Sequence, residues 1–179
     1  MKVIILAAGQ GTRLRPLTDH CPKCMVEVNG KSIIERQLDT MHACGIEDKD
    51  ITIIAGYRND VLKEKFKDTE IQFIVNESYE TTNMVCSLMC ARNLMEKESD
   101  ILISYGDIIY SKEVLDKILQ SQDDMGVIVD DGWYEYWSAR CENPLDDAET
   151  LMFNENNYLT EIGPVSYTHL RAHETRSNL

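Results

Sequence analysis

The chain has 179 residues, with a formal net charge of −13, 43% hydrophobic and 27% charged residues. That composition is an ordinary globular one, and the acidic excess excludes a general nucleic-acid binder, which needs a broad basic surface. The length suits one domain able to bury roughly two-thirds of its unfolded surface.

Lys2 is followed by Val3-Ile4-Ile5-Leu6-Ala7-Ala8, an apolar run without alternation. The pattern predicts a strand buried on both faces, as in a parallel sheet between helices. It is too short for a signal-peptide core or a membrane span, which leads to an expectation of a cytoplasmic location and no membrane insertion. The run stops at Gly9-Gln10-Gly11, where missing β-carbons let a ligand approach the backbone. Arg13, Arg15 and Lys23 put three cations into the loop that follows, and residues 9–31 carry a net +2 within an acidic chain. A buried strand running into a glycine-rich, cationic loop suits a polyphosphate. The dinucleotide fingerprint fails because position 14 is Leu14, and a Walker A loop fails because position 25 is Met25.

Cys21-Pro22-Lys23-Cys24 is a C-x-x-C with no second pair, read as reduced thiols rather than a metal or redox site. Met25 to Val28 is a short extended piece ending at the Asn29-Gly30 turn, and Ser32-x-x-Glu35 is a capping box. Ile34, Leu38 and Met41 make one helical stripe, closed by Gly45. Ile51 to Ala55 is a second buried strand, Asn59 is expected to cap a helix through about Phe66, and Ile71 to Val75 is a third strand. One helix is expected through Met84, Leu88, Ala91 and Met95. Cys86, Cys90 and the methionines Met84, Met89 and Met95 are read as its core filling. Asn83, at its start, is placed to cap it. Ile101 to Tyr105 is expected to be a fourth buried strand, stopped by Gly106-Asp107, Ser111 starts a helix, and Met125 to Val129 is expected to be a fifth strand. From residue 133 the period is unclear until a hairpin of Leu151 to Phe153 and Tyr158 to Ile162. Strand and helix alternate at least four times, so the fold class is α/β, layered, with a mainly parallel central sheet flanked by helices.

Leu6-Ala7-Ala8-Gly9-Gln10-Gly11-Thr12-Arg13-Leu14-Arg15-Pro16-Leu17-Thr18, followed by Pro22-Lys23, resembles the signature of the sugar-1-phosphate and phosphocholine nucleotidyltransferases. The resemblance implies a Rossmann-like nucleotidyltransferase domain over residues 1–164. Its loop, from Leu6, Ala7, Ala8 and Gly9 through Gly11, Thr12 and Arg13, would wrap a nucleoside triphosphate, with Arg13 and Lys23 neutralising phosphate charge. It implies that the Asn83 segment reaches the base, so Asn83 reads as a cap, a base contact, or both. Gly106-Asp107 matches the family's metal-binding aspartate, which assigns Mg²⁺ to Asp107, a hard cation suited to a carboxylate plus phosphate oxygens. The implied reaction is attack by an acceptor phosphate on the α-phosphorus of an NTP, releasing pyrophosphate. CTP is favoured as the NTP, with UTP or dTTP as alternatives.

Trp133, Tyr134, Tyr136 and Trp137 cluster beside Asp130, Asp131 and Glu135. Such a set suits a quaternary ammonium, or equally a packed aromatic edge. Resemblance to the phosphocholine enzymes raises Trp137 as an acceptor contact, with a sugar-1-phosphate as the other acceptor. Residues 165–179 change in character and read as a non-native or disordered tail after a domain incomplete at its C-terminus. The resembled enzymes supply a second metal-binding aspartate from their C-terminal part, not located here. A non-catalytic nucleotide-binding module on the same fold is the alternative function.

Overall fold

The opening apolar run forms β1 (Lys2–Ala7), with Val3, Ile4 and Ile5 fully buried. The structure is a computed structural model that describes residues 1–140, 142–144, 149–156, 158–162 and 171–173. The chain divides into two compact units, Met1–Lys112 and Glu113–Leu179.

In the first unit the loop after β1 contains two 3-10 turns, Thr12–Leu14 and Lys23–Met25. A short hairpin follows, β2 (Glu27–Val28) and β3 (Lys31–Ser32), turned by Asn29 and Gly30 at positive φ. The expected capping box opens α1 (Ile33–Ala43): Glu35 N–H donates to Ser32 Oγ, and Ser32 N–H donates to the Glu35 carboxylate. The helix ends in a Schellman motif, Gly45 at φ 82 donating to His42 O and Ile46 to Met41 O. Next come β4 (Ile51–Ala55), buried throughout, α2 (Asn59–Lys65) and β5 (Gln72–Val75). The cap of α2 differs from expectation. Arg58, in the left-handed region at φ 48, holds the N-cap position, while Asn59 is the first helical residue and its Nδ2 donates to Gly56 O.

The single helix expected over residues 84–95 is two, α3 (Met84–Met89) and α4 (Arg92–Met95), broken at Cys90-Ala91. Ala91 is buried against Ile4 and Ile54, with Leu88, Leu94 and Met95 packed around them. The face α3 buries is therefore Ser87 and Leu88, leading to Ala91, so Cys86 and Cys90, one residue earlier, are exposed. Met84 and Met89 are exposed too, and of the three methionines only Met95 joins the core. A polar residue took the inner position because it is hydrogen-bonded there: Asn76 Nδ2 donates to Ser87 Oγ at 3.0 Å.

β6 (Ile101–Tyr105) completes a parallel sheet of order β5-β4-β1-β6. The chain moves outward from β1 on one side and then returns to pair β6 on the other. This reversal leaves a crevice at the carboxyl ends of β1 and β6, where open α/β sheets bind ligands.

The second unit holds all but the first residue of α5 (Lys112–Leu119), together with α6 (Trp133–Ser138), β7 (Glu149–Phe153), β8 (Leu159–Ile162) and β9 (Arg171–His173). β7 and β8 form the expected hairpin, and β9 pairs antiparallel with the other edge of β7. Two expectations are corrected. Met125–Val129 is irregular rather than a strand: Gly126 interrupts it, Met125 is exposed, and no described residue offers it a ladder. Residues 133–138, left without a period, are helical because Trp133 and Trp137 lie one turn apart and both are buried. Within the tail read as patternless, 171–173 is β9, and residues 163–170 and 174–179 lie outside the described residues.

Candidate active site

The register Leu6↔Tyr105 sets the ends of β1 and β6 side by side, and Gly106 N–H donates to Leu6 O at 2.8 Å. A β-carbon on Gly106 would lie 2.9 Å from Ala7 Cβ and 3.0 Å from Leu6 O, so this close passage requires glycine. Gly9 and Asp107 thus emerge on one side of one sheet.

The glycine-rich loop closes on itself through Thr18, which is fully buried and donates from Oγ1 to Gly11 O at 2.9 Å. Gly11 sits at φ 64, and a β-carbon there would come within 2.8 Å of Lys23 Cβ. Tyr57, at the exit of β4, straps the loop from outside: its hydroxyl reaches Thr18 O and Asp19 O at 3.0 Å each, and its N–H donates to Ala8 O. Lys23, held beside Gly11, forms an ion pair with the Asp107 carboxylate. Opposite the loop, Asn83 caps α3 by accepting from Cys86 N–H at 3.1 Å.

These pieces enclose a cleft of about 210 Å³ whose lining includes Leu6, Ala7, Ala8, Gly9, Gly11, Lys23, Asn83 and Asp107. One wall offers backbone and a cation, and the mouth offers a carboxylate, the furniture of a polyphosphate carrying a hard cation. Residues 2–135 match the family model described as nucleotidyl transferase. The chain belongs to the nucleotidyl transferase family.

This nucleotidyl transferase chain is 42% identical over 168 residues to the CTP:phosphoglutamine cytidylyltransferase of Campylobacter jejuni, covering 91% of this chain and 65% of that protein. It is 46% identical over 91 residues to the choline-phosphate cytidylyltransferase of Streptococcus pneumoniae, or 49% of this chain and 38% of that protein. The solved CTP:phosphocholine cytidylyltransferase from Streptococcus pneumoniae superposes with a TM-score of 0.64 at 26% identity, over 96% of this chain and 65% of that one. An inositol-1-phosphate CTP transferase from T. maritima shares the fold, with a TM-score of 0.71 at 22% identity, over 96% of this chain and 67% of that one. The chain therefore spans about two-thirds of the length of the Campylobacter relative.

Two of the residues singled out in the sequence lie off the cleft lining of the first unit. Thr12 and Arg13 are exposed on the 3-10 turn of the nucleotidyl transferase loop and do not line the cleft. Trp137 is in the second unit, 3% exposed on α6. The neighbouring Tyr136 already carries a cation on its ring, Arg140, 4.3 Å from the centroid. Among the cleft residues that motif reading missed are Tyr79, Thr82 and Ser87. The signal for Tyr79 and Thr82 was positional, since the polar run 76–82 follows β5 at the same sheet end as the glycine loop. Cys24 also lines the cleft, and burial pushes its thiol up to about 12, which keeps it protonated.

A divalent cation fits this donor set in one way. Among the described residues no three His, Cys, Asp or Glu side chains gather, so no all-protein cage is formed. Among the described residues Asp107 is the carboxylate that lines the cleft, and Mg²⁺ ordinarily takes one or two carboxylates, completing its shell from phosphate oxygens and water.

Proposed function

We propose that this chain carries the nucleotide site of an enzyme that transfers a nucleotidyl group, from CTP by preference, to a small phosphorylated acceptor. The observation that carries the reading is the convergence of the glycine loop, Lys23 and Asp107 at the ends of two adjacent parallel strands. Loop amides bind phosphate oxygens, and Lys23 offsets charge on the polyphosphate as the acceptor phosphate attacks in line and pyrophosphate leaves. Arg13, exposed on its turn, closes onto the phosphates once they are bound. Asn83 keeps its cap and faces the base. Asp107 would hold Mg²⁺, which would supply charge neutralisation to the polyphosphate. A nucleoside triphosphate as substrate suits a cytoplasmic site of action.

CTP is favoured because the Campylobacter and Streptococcus relatives are named for cytidylyl transfer. Their acceptors differ, phosphoglutamine in one and choline phosphate in the other. The first of these spans far more of this chain, so phosphoglutamine joins phosphocholine and the sugar-1-phosphates as acceptors. Trp137, buried on α6, gives the choline reading less support than an open ring would.

The test is pyrophosphate release with Mg²⁺ by the protein carrying its complete C-terminal part. CTP, UTP, dTTP, ATP and GTP are each paired with phosphoglutamine, phosphocholine and a panel of sugar-1-phosphates. Release with CTP and one acceptor is the expected result. Nucleotide binding without release from any pair would assign a non-catalytic nucleotide module instead.

A further inference from the structure

The core of the first unit contains one side chain that packing alone does not explain. Gln37, in the middle of α1, is 0% exposed. Its Nε2 donates to Tyr105 O at 2.6 Å and to Ile108 O at 2.5 Å. The amide orientation follows from the partners, because carbonyl oxygens can only accept. Gln37 Oε1 is buried without a hydrogen-bond partner among the described residues. A methionine would fill the same space and leave no acceptor stranded. What glutamine adds is the pair of donations.

Those two carbonyls flank Gly106-Asp107. On the sheet side the turn is tied by Gly106 N–H to Leu6 O; on the helix side it is gripped at both ends by one amide. Thr40, further along α1, differs: its Oγ1 donates to Arg36 O at 3.1 Å within the helix, with Tyr110 O at 3.3 Å. Residues 106–110 form no helix or strand of their own, and Gln37 ties the Gly106-Asp107 turn of this segment to α1.

We propose that Gln37 is a positioning residue for the divalent-cation site, fixing the Gly106-Asp107 turn so that the Asp107 carboxylate faces the cleft. The inference rests on the reading of Asp107 as the cation's ligand. Partners of this indirect kind orient the ligating group, and their loss typically weakens metal binding by about 10- to 100-fold.

The experiment compares wild type, Gln37→Met and Thr40→Val in the presence of CTP. Mn²⁺ binding is followed by electron paramagnetic resonance, and the Mg²⁺ concentration giving half-maximal pyrophosphate release is measured separately. Gln37→Met is expected to weaken Mn²⁺ binding and raise the Mg²⁺ half-saturation by about 10-fold or more. Metal-free CTP binding and the rate at saturating Mg²⁺ should be largely retained, and Thr40→Val should leave Mn²⁺ affinity unchanged. If Gln37→Met does not fold, Gln37→Asn, an amide one methylene too short, must show the same loss. A folded Gln37 variant with wild-type Mn²⁺ affinity overturns the proposal, as does an equal loss in Thr40→Val. Wild type that binds no Mn²⁺ overturns the cation reading of Asp107 itself, and this inference with it.

Discussion

Lys23 and Asp107, 84 positions apart, form an ion pair at the mouth of the cleft, one from the loop after β1 and the other from the turn after β6. Each is about one-third exposed, so the pair adds little to stability. On the proposed function, the two groups neutralise each other until phosphate takes the lysine and a cation takes the carboxylate. Asp107→Asn should therefore separate binding from turnover. With metal chelated, CTP binding by equilibrium dialysis should be equal to wild type or up to about fivefold tighter, because Lys23 no longer has a competing anion. Pyrophosphate release with Mg²⁺ should fall by about 100-fold or more. Unchanged release would remove Asp107 from the mechanism.

Gly11→Ala should harm the same site from the loop. The left-handed φ of 64 costs an L-residue about 1–2 kcal/mol, and the new β-carbon would stand 2.8 Å from Lys23 Cβ. Lys23 is the neighbour that must yield, so CTP affinity should drop further than stability alone accounts for. Urea denaturation and CTP titration of one preparation check both halves. By contrast, Gly9→Ala meets no atom within 4 Å and should leave stability near wild type.

Glu35→Gln should show a pH-dependent loss of stability. Glu35 is held well below the ordinary carboxylate range, to about 2, chiefly by the hydrogen bond from Lys65 on α2 and then by Ser32 of the capping box. The folded protein thus keeps it ionised where the unfolded chain, with an ordinary value of about 4.3, takes up a proton. Its contribution is complete above about pH 5 and is lost as pH falls toward 2. The variant should be destabilised by about 1 kcal/mol at pH 7. That gap should narrow steadily in urea melts taken between pH 5 and pH 2.5. A gap constant with pH would mean that shape, not charge, is what Glu35 supplies.

How far the sequence revealed this arrangement depended on the kind of signal. Unbroken apolar runs located β1 and β4, since a strand buried on both faces leaves no other pattern, whereas β6, also expected to be buried, is a strand with Ile103 48% and Tyr105 37% exposed. Ser32, Glu35 and Gly45 marked both ends of α1 because their chemistry at those positions is local. Cys86 is read as core because hydropathy favours a thiol inside, and the hydrogen bonds of the Ser87 hydroxyl with Asn76 and Asn83 O put Ser87 there instead. Gln37 gave no signal, since its partners, Tyr105 and Ile108, lie about 70 residues away and are backbone atoms. Arg58 likewise displaced Asn59 from the cap through a backbone angle that its residue type does not suggest.

The cysteines offer a final check on which face of α3 is outside and on how closed the cleft floor is. Cys86 and Cys90 are exposed on α3, whereas Cys24 is 2% exposed and its thiol is pushed up to about 12 by burial. At pH 8 such a thiol is ionised in only about one molecule in ten thousand, and alkylation requires the thiolate. Iodoacetamide at pH 8 should therefore modify Cys86 and Cys90 in the native protein and spare Cys24 until denaturant is added, as read by peptide mass spectrometry. The same helix face buried in the manner first expected would protect Cys86 and Cys90 together. Labelling of Cys24 at the rate of Cys86 would mean that the loop between Gly11 and Lys23 opens far more often than its Thr18 and Tyr57 hydrogen bonds allow.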